Sequence, residues 1–106
     1  MARTLITAPT TARRGEVIEL RTLIGHVMET GFRPDANGSI KPRDLITHFR
    51  CRYNGELVFS AELYPAVAAN PYIVFTTVAT ESGTLSFEWV GDNGFRQSET
   101  VQLSVT

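Results

Sequence analysis

At 106 residues, with 42% hydrophobic and 20% charged residues and a mean hydropathy of -0.05, the chain has the composition of one globular domain spanning 1–106 that folds without metal or disulfide staples. A net charge of -1 with a pI near 6.1 argues against a nucleic-acid partner, and every apolar run is far short of the roughly 20 residues that cross a bilayer. The single cysteine, Cys51, excludes an internal disulfide and a Cys-rich zinc site.

The first strand is expected over Arg3–Thr7 (RTLIT), ending before Pro9, which cannot donate to a ladder, and a turn through Arg13, Arg14 and Gly15. Glu16–Ile24 then alternates, with Ile18, Leu20, Thr22 and Ile24 on the face expected to meet a core. Residues 26–39 hold two breaks, Arg33-Pro34-Asp35 and Asn37-Gly38, and read as a long ordered loop in which Met28–Gly31 could form one helical turn. Leu45–Tyr53 alternates again. Its inward set is Leu45, Thr47, Phe49, Cys51 and Tyr53, leaving Ile46, His48, Arg50 and Arg52 on an outer face.

Asn54-Gly55 between two alternating segments is a hairpin signal, with Leu57, Phe59, Ala61 and Leu63 expected inward on the return strand. Pro65–Pro71 crosses over and stops at Asn70-Pro71, because the residue before proline is pushed out of the α region. Tyr72–Ala79 is β-prone, Ser82-Gly83 is a turn, and Thr84–Val90 carries the inward stripe Leu85, Phe87 and Trp89. Asp92-Asn93-Gly94 is a second hairpin turn before the last strand, which turns Val101, Leu103 and Val105 one way. About seven strands without a helix-length periodic segment imply an all-β, immunoglobulin-like antiparallel β-sandwich, although the Cys…Trp…Cys pattern of antibody domains is missing. Ile46, Val58, Tyr64 and Val90, apolar on nominally outer faces, point to a face covered by another chain.

Chemistry concentrates in Gly25–Phe49, which holds both histidines, yet few reactive sets survive inspection. Cys51 lies three residues from His48 and on the opposite strand face, so a Cys–His nucleophile fails by geometry, and a small buried apolar role fits the thiol better. His26, Met28 and His48 offer imidazole and thioether ligands of the kind that suit Cu(I), which leaves a metal-binding sandwich as an alternative reading. No glycine set forms a phosphate-binding loop.

The run Gly25-His26-Val27-Met28-Glu29-Thr30-Gly31-Phe32-Arg33, then Pro42-Arg43, Cys51-Arg52-Tyr53-Asn54-Gly55, Ala69-Asn70-Pro71-Tyr72 and Phe75, resembles the SoxZ family of the bacterial sulfur-oxidising (thiosulfate) system. The family commonly has proline where this chain has Val27, which leaves the loop less preset in shape. The resemblance implies an immunoglobulin-like, non-catalytic subunit without cofactor. It implies a heterodimer with a SoxY-like carrier, whose flexible Gly-Gly-Cys-Gly arm bears the sulfur substrate, and transient contacts with the Sox enzymes. This chain ends Leu103-Ser104-Val105-Thr106, without such an arm, and is expected in the periplasm by co-export with the signal-bearing partner. Met28, Glu29, Thr30, Arg33 and Arg43 are the expected partner-binding residues. The two arginines match carboxylates or oxyanions such as a sulfonate through the guanidinium fork.

Overall fold

Alternating apolar and polar residues become eight strands in two facing sheets in the computed structural model, which describes residues 2–106. They are β1 (Thr4–Thr7), β2 (Thr11–Ala12), β3 (Val17–Ile24), β4 (Ile46–Tyr53), β5 (Glu56–Glu62), β6 (Tyr72–Val78), β7 (Gly83–Gly91) and β8 (Arg96–Val105). One sheet has the order β1-β3-β6 and the other β2-β8-β7-β4-β5. The immunoglobulin-like sandwich is as expected, with one correction to its pairing: β2 runs parallel to β8, while every other strand pair is antiparallel. Pro9 stands between β1 and β2, where the chain leaves one sheet for the other and a missing N–H costs no ladder bond.

Phe49 is the hub of the core. It is fully buried, with ring centroids 5.3 Å from Trp89, 5.9 Å from Phe75, 6.2 Å from Phe59 and 6.4 Å from Phe87. Phe59 stacks on Phe75 at 4.3 Å, so β5 of one sheet lies against β6 of the other. Below this cluster the Tyr53 hydroxyl donates to the Glu81 carbonyl and accepts the Thr80 and Glu81 N–H groups, fastening the β6–β7 turn to β4.

Two bulges correct the expected facing of side chains. A register shift between Ile46 and His48 lets Leu45 and Ile46 both bury, although Ile46 belonged to the outer set by strict alternation. Another between Cys51 and Arg52 leaves Leu57 half exposed and turns Val58 toward the core. Val90 is likewise only partly exposed, whereas Tyr64 is exposed and donates its hydroxyl to Glu62. Charges on the outer face of the larger sheet pair across its strands: Glu88 on β7 meets Arg50 across the ladder at 3.5 Å and Arg96 on β8 at 3.2 Å.

Phe49→Ala should therefore cost about 3–5 kcal/mol of unfolding free energy, since it empties a site lined by four aromatic rings. Urea denaturation monitored by Trp89 fluorescence checks this, and a loss below about 1 kcal/mol would show that the cluster closes over the gap.

Candidate functional site

The long connection between β3 and β4 is held at three points, two of them to the rest of the sandwich and one within the connection itself. At its start His26 and Asn70 exchange bonds: the His26 N–H donates to Asn70 Oδ1 at 3.0 Å and the Asn70 N–H to the His26 carbonyl at 2.8 Å. Asn70 takes a φ of 55°, a left-handed geometry that asparagine tolerates. In its middle Glu29 and Asp44 form an antiparallel bridge with two 2.8 Å bonds, which replaces the helical turn expected over Met28–Gly31. At its end Asp92, in the β7–β8 turn, takes Arg43 in a fork, Nε to Oδ2 at 2.7 Å and Nη2 to Oδ1 at 3.0 Å, and also accepts the Leu45 N–H at 3.0 Å.

Between these ties the loop is closely built. Met28 holds a φ of 50°, strained for a residue with a Cβ, and is kept there by burial and two bonds. Its N–H donates to His26 Nδ1 at 3.0 Å and its sulfur accepts the Ile46 N–H at 3.3 Å. The buried His26 ring then turns Nε2 toward Asp44 Oδ1 at 3.6 Å and meets Phe95 edge-on at 4.9 Å. The tip from Pro34 to Ile40 is a small hairpin whose turn is closed by Asp35 Oδ1, accepting from Asn37 and Ser39.

The expected partner-binding residues fall into two groups. Thr30 accepts the Phe32 N–H, while Glu29 and Arg33 form a fork, Nε to Oε2 at 3.1 Å and Nη2 to Oε1 at 2.8 Å. Arg33 is 63% exposed and keeps its remaining donors outward, but Met28 faces inward and shapes the loop from below. The forks of Arg33 and Arg43 are thus filled by this chain's own carboxylates in the isolated chain. Hydrogen bonding from Arg33 holds the Glu29 carboxyl below the usual carboxylate range, and Arg43 does the same for Asp92. Both guanidinium groups are pushed up in turn.

The metal reading is corrected as well. The Nδ1 lone pair of His26 and the sulfur of Met28 are spent on backbone N–H groups, and the described residues contain no group of three or more His, Cys, Asp or Glu that could hold an ion. His48 lies apart, beside Thr47 and Glu62. Burial pushes the Cys51 thiol up to about 12, so it is not a thiolate at neutral pH. What composition did not single out are Val27, Phe32 and Ile40, exposed by 66%, 76% and 59% on the loop surface. Their signal was their isolation: large apolar residues in a polar loop, with no alternating neighbours to carry them into a core.

A family model described as "Sulphur oxidation protein SoxZ" matches residues 6–102. No curated protein sequence matches the chain. Among solved structures, a superoxide reductase (neelaredoxin) from Ignicoccus hospitalis aligns with a TM-score of 0.71 at 15% identity, over 97% of this chain and 80% of that one. The sulfur carrier protein SoxY from Chlorobium limicola f thiosulfatophilum aligns with a TM-score of 0.67 at 13% identity, over 97% and 78%. A CARDB domain from Pyrococcus furiosus aligns at 0.62 and 13%, over 99% and 94%. At such identities these likenesses describe the fold alone.

The lowered Asp92 carboxyl gives a pH signature. Stability from a depressed pKa is complete above the unfolded carboxylate value near 4 and is lost as pH falls through the lower folded value. The thermal midpoint should therefore lie a few degrees above that of Asp92→Asn from about pH 5 to 8, with the gap closing below about pH 3. A gap of constant size down to that pH would mean that the charge of Asp92 does not hold the loop.

Proposed function

The chain belongs to the SoxZ family of sulphur oxidation proteins, and we propose that it is a non-catalytic subunit pairing with a SoxY-type sulfur carrier and helping to dock that carrier to the Sox enzymes. The observation that carries this reading is the family match over residues 6–102. The chemistry of the chain is in keeping with it. Its only thiol is sealed in the core, and the carboxylates of Glu29 and Asp92 are held ionised by arginines, which leaves neither poised for proton transfer at neutral pH.

In this reading the loop is a preset docking platform. Its ties to Asn70 and Asp92 and its internal Glu29–Asp44 bridge remove in advance the ordering cost that a flexible loop would meet on binding, and Phe32 with the outer side of Arg33 forms its contact tip. Thr30 and the Glu29–Arg33 fork set the direction of that tip, while Met28 and Arg43 act by holding the loop in shape. Export together with a signal-bearing carrier would place the pair in the periplasm.

Co-expression with the cognate carrier subunit should give a single peak in size exclusion at micromolar concentration, and separate elution of the two chains would end the subunit reading. In a reconstituted system, Phe32→Ala and Arg33→Ala should lower thiosulfate-dependent turnover several-fold without disturbing the heterodimer. Cys51→Ala should lose some stability and leave turnover unchanged; abolished turnover in a folded Cys51→Ala variant would restore a chemical role to the thiol.

A further inference from the structure

A two-sheet sandwich has four edge strands, and each unpaired edge is a template for another strand unless something blunts it. Three of the four edges here are blunted. β1 has four residues and stops before Pro9, β2 has two, and β5 is bulged opposite Cys51 and Arg52 and carries Glu56 and Glu62 at its ends. The fourth, β6, reads YIVFTTV: seven residues, no charge, no proline, and an unbroken register with β3 from Leu23↔Tyr72 to Val17↔Val78.

The hydrogen-bond phase shows which groups lie open. Bonds from Ile24 N–H to the Pro71 carbonyl and from Ala79 N–H to the Glu16 carbonyl make the even-numbered residues of β3 the ones bonded to β6. Antiparallel alternation then directs the N–H and C=O groups of Ile73, Phe75 and Thr77 toward β3, and those of Tyr72, Val74, Thr76 and Val78 away from it. These four outward residues are also exposed, and the chain supplies no hydrogen-bond partner to their backbone groups among the described residues.

The surroundings are apolar too. Tyr72, Val74 and Val78 are 58%, 44% and 45% exposed, and Leu5 and Val17 are exposed on the same outer face of the three-stranded sheet. The charges nearest the edge on that face, Arg21 and Glu19, are paired at 2.5 Å and offset one another. The outer face of the other sheet is of opposite character, with Arg50, Glu88 and Arg96 linked across its strands. One flank of the molecule is built for water and the other carries an uncharged row of unused donors and acceptors.

We propose that β6 is the pairing edge for the carrier subunit: an extended, uncharged edge strand of that chain adds antiparallel to Tyr72–Val78 and continues the β1-β3-β6 sheet across the interface. This rests on the subunit reading above. It commits to the carrier because a SoxY carrier shares this sandwich over 97% of the chain and so has sheet edges of its own to offer. Seven residues at about 3.3 Å each give a contact roughly 23 Å long. Because β5 lies against β6, the half-exposed Leu57 widens that contact toward the about 800 Å² per partner of a stable pair.

The test uses the full chain and its cognate carrier. In Thr76→Pro the lost N–H is one that β3 does not use, so the fold should survive, as judged by far-ultraviolet circular dichroism, while carrier affinity falls at least about tenfold. In the wild-type complex, amide exchange at Tyr72, Val74, Thr76 and Val78 should slow by about 100-fold or more relative to the free chain, with Ile73, Phe75 and Thr77 slow in both. The exchange pattern decides the matter if Thr76→Pro does not fold. Unchanged affinity of a folded Thr76→Pro variant, or a wild-type complex without added protection at the four amides, overturns strand addition and leaves the subunit reading standing. A wild-type chain that binds no carrier fails the subunit reading first. Self-association lost in Thr76→Pro while carrier binding is kept would assign the edge to a second copy and overturn the proposal.

Discussion

The carboxylate of Asp92 is the point on which the placement of the long β3–β4 loop depends. It sits in the turn between β7 and β8, yet its partners, Arg43 and the Leu45 N–H, are at the far end of the longest loop, 47 to 49 residues earlier in sequence. Backbone bonding reinforces it: the Asp92 N–H donates to the Leu45 carbonyl at 2.8 Å, and Gly91 is crossed so closely that a Cβ there would lie 2.3 Å from the same oxygen. This one carboxylate therefore fixes where β4 begins. Through the bulge after Ile46 it also fixes how Leu45 and Ile46 both reach the core beside Met28.

A loop of this length is ordinarily where motion resides, and here side-chain chemistry removes that freedom residue by residue. His26 Nδ1 accepting the Met28 N–H, the Met28 sulfur accepting the Ile46 N–H, and the Glu29 and Asp92 carboxylates forked by Arg33 and Arg43 convert polar residues that look reactive in sequence into internal fasteners. Catalytic potential and mechanical use compete for the same lone pairs. In this chain the mechanical use has taken them, leaving the loop's exposed apolar residues as the part that can meet another protein.

Much of this architecture was legible in the sequence. The alternation of Ile18, Leu20, Thr22 and Ile24, and of Leu85, Phe87 and Trp89, placed those residues in the core without ambiguity, and Asn54-Gly55 marked its hairpin. The misplacements at Ile46 and Leu57 have a common cause. A bulge adds one residue to one strand, and nothing in a two-residue period announces it. The parallel β2 pairing escaped for a similar reason, since two residues carry no period at all.

The site was half legible. Motif and resemblance pointed to the loop and its arginines, but while Arg33 meets Glu29 four residues away, the partner of Arg43 lies 49 residues off where no local pattern encodes it, and Asp92 reads in sequence as an ordinary turn residue. These ties make the loop a rigid platform in the isolated chain. Backbone order parameters from nitrogen-15 relaxation of the free protein test it most directly: values near 0.85 through residues 26–45, matching the strands, are expected, and values below about 0.6 in that stretch would contradict it.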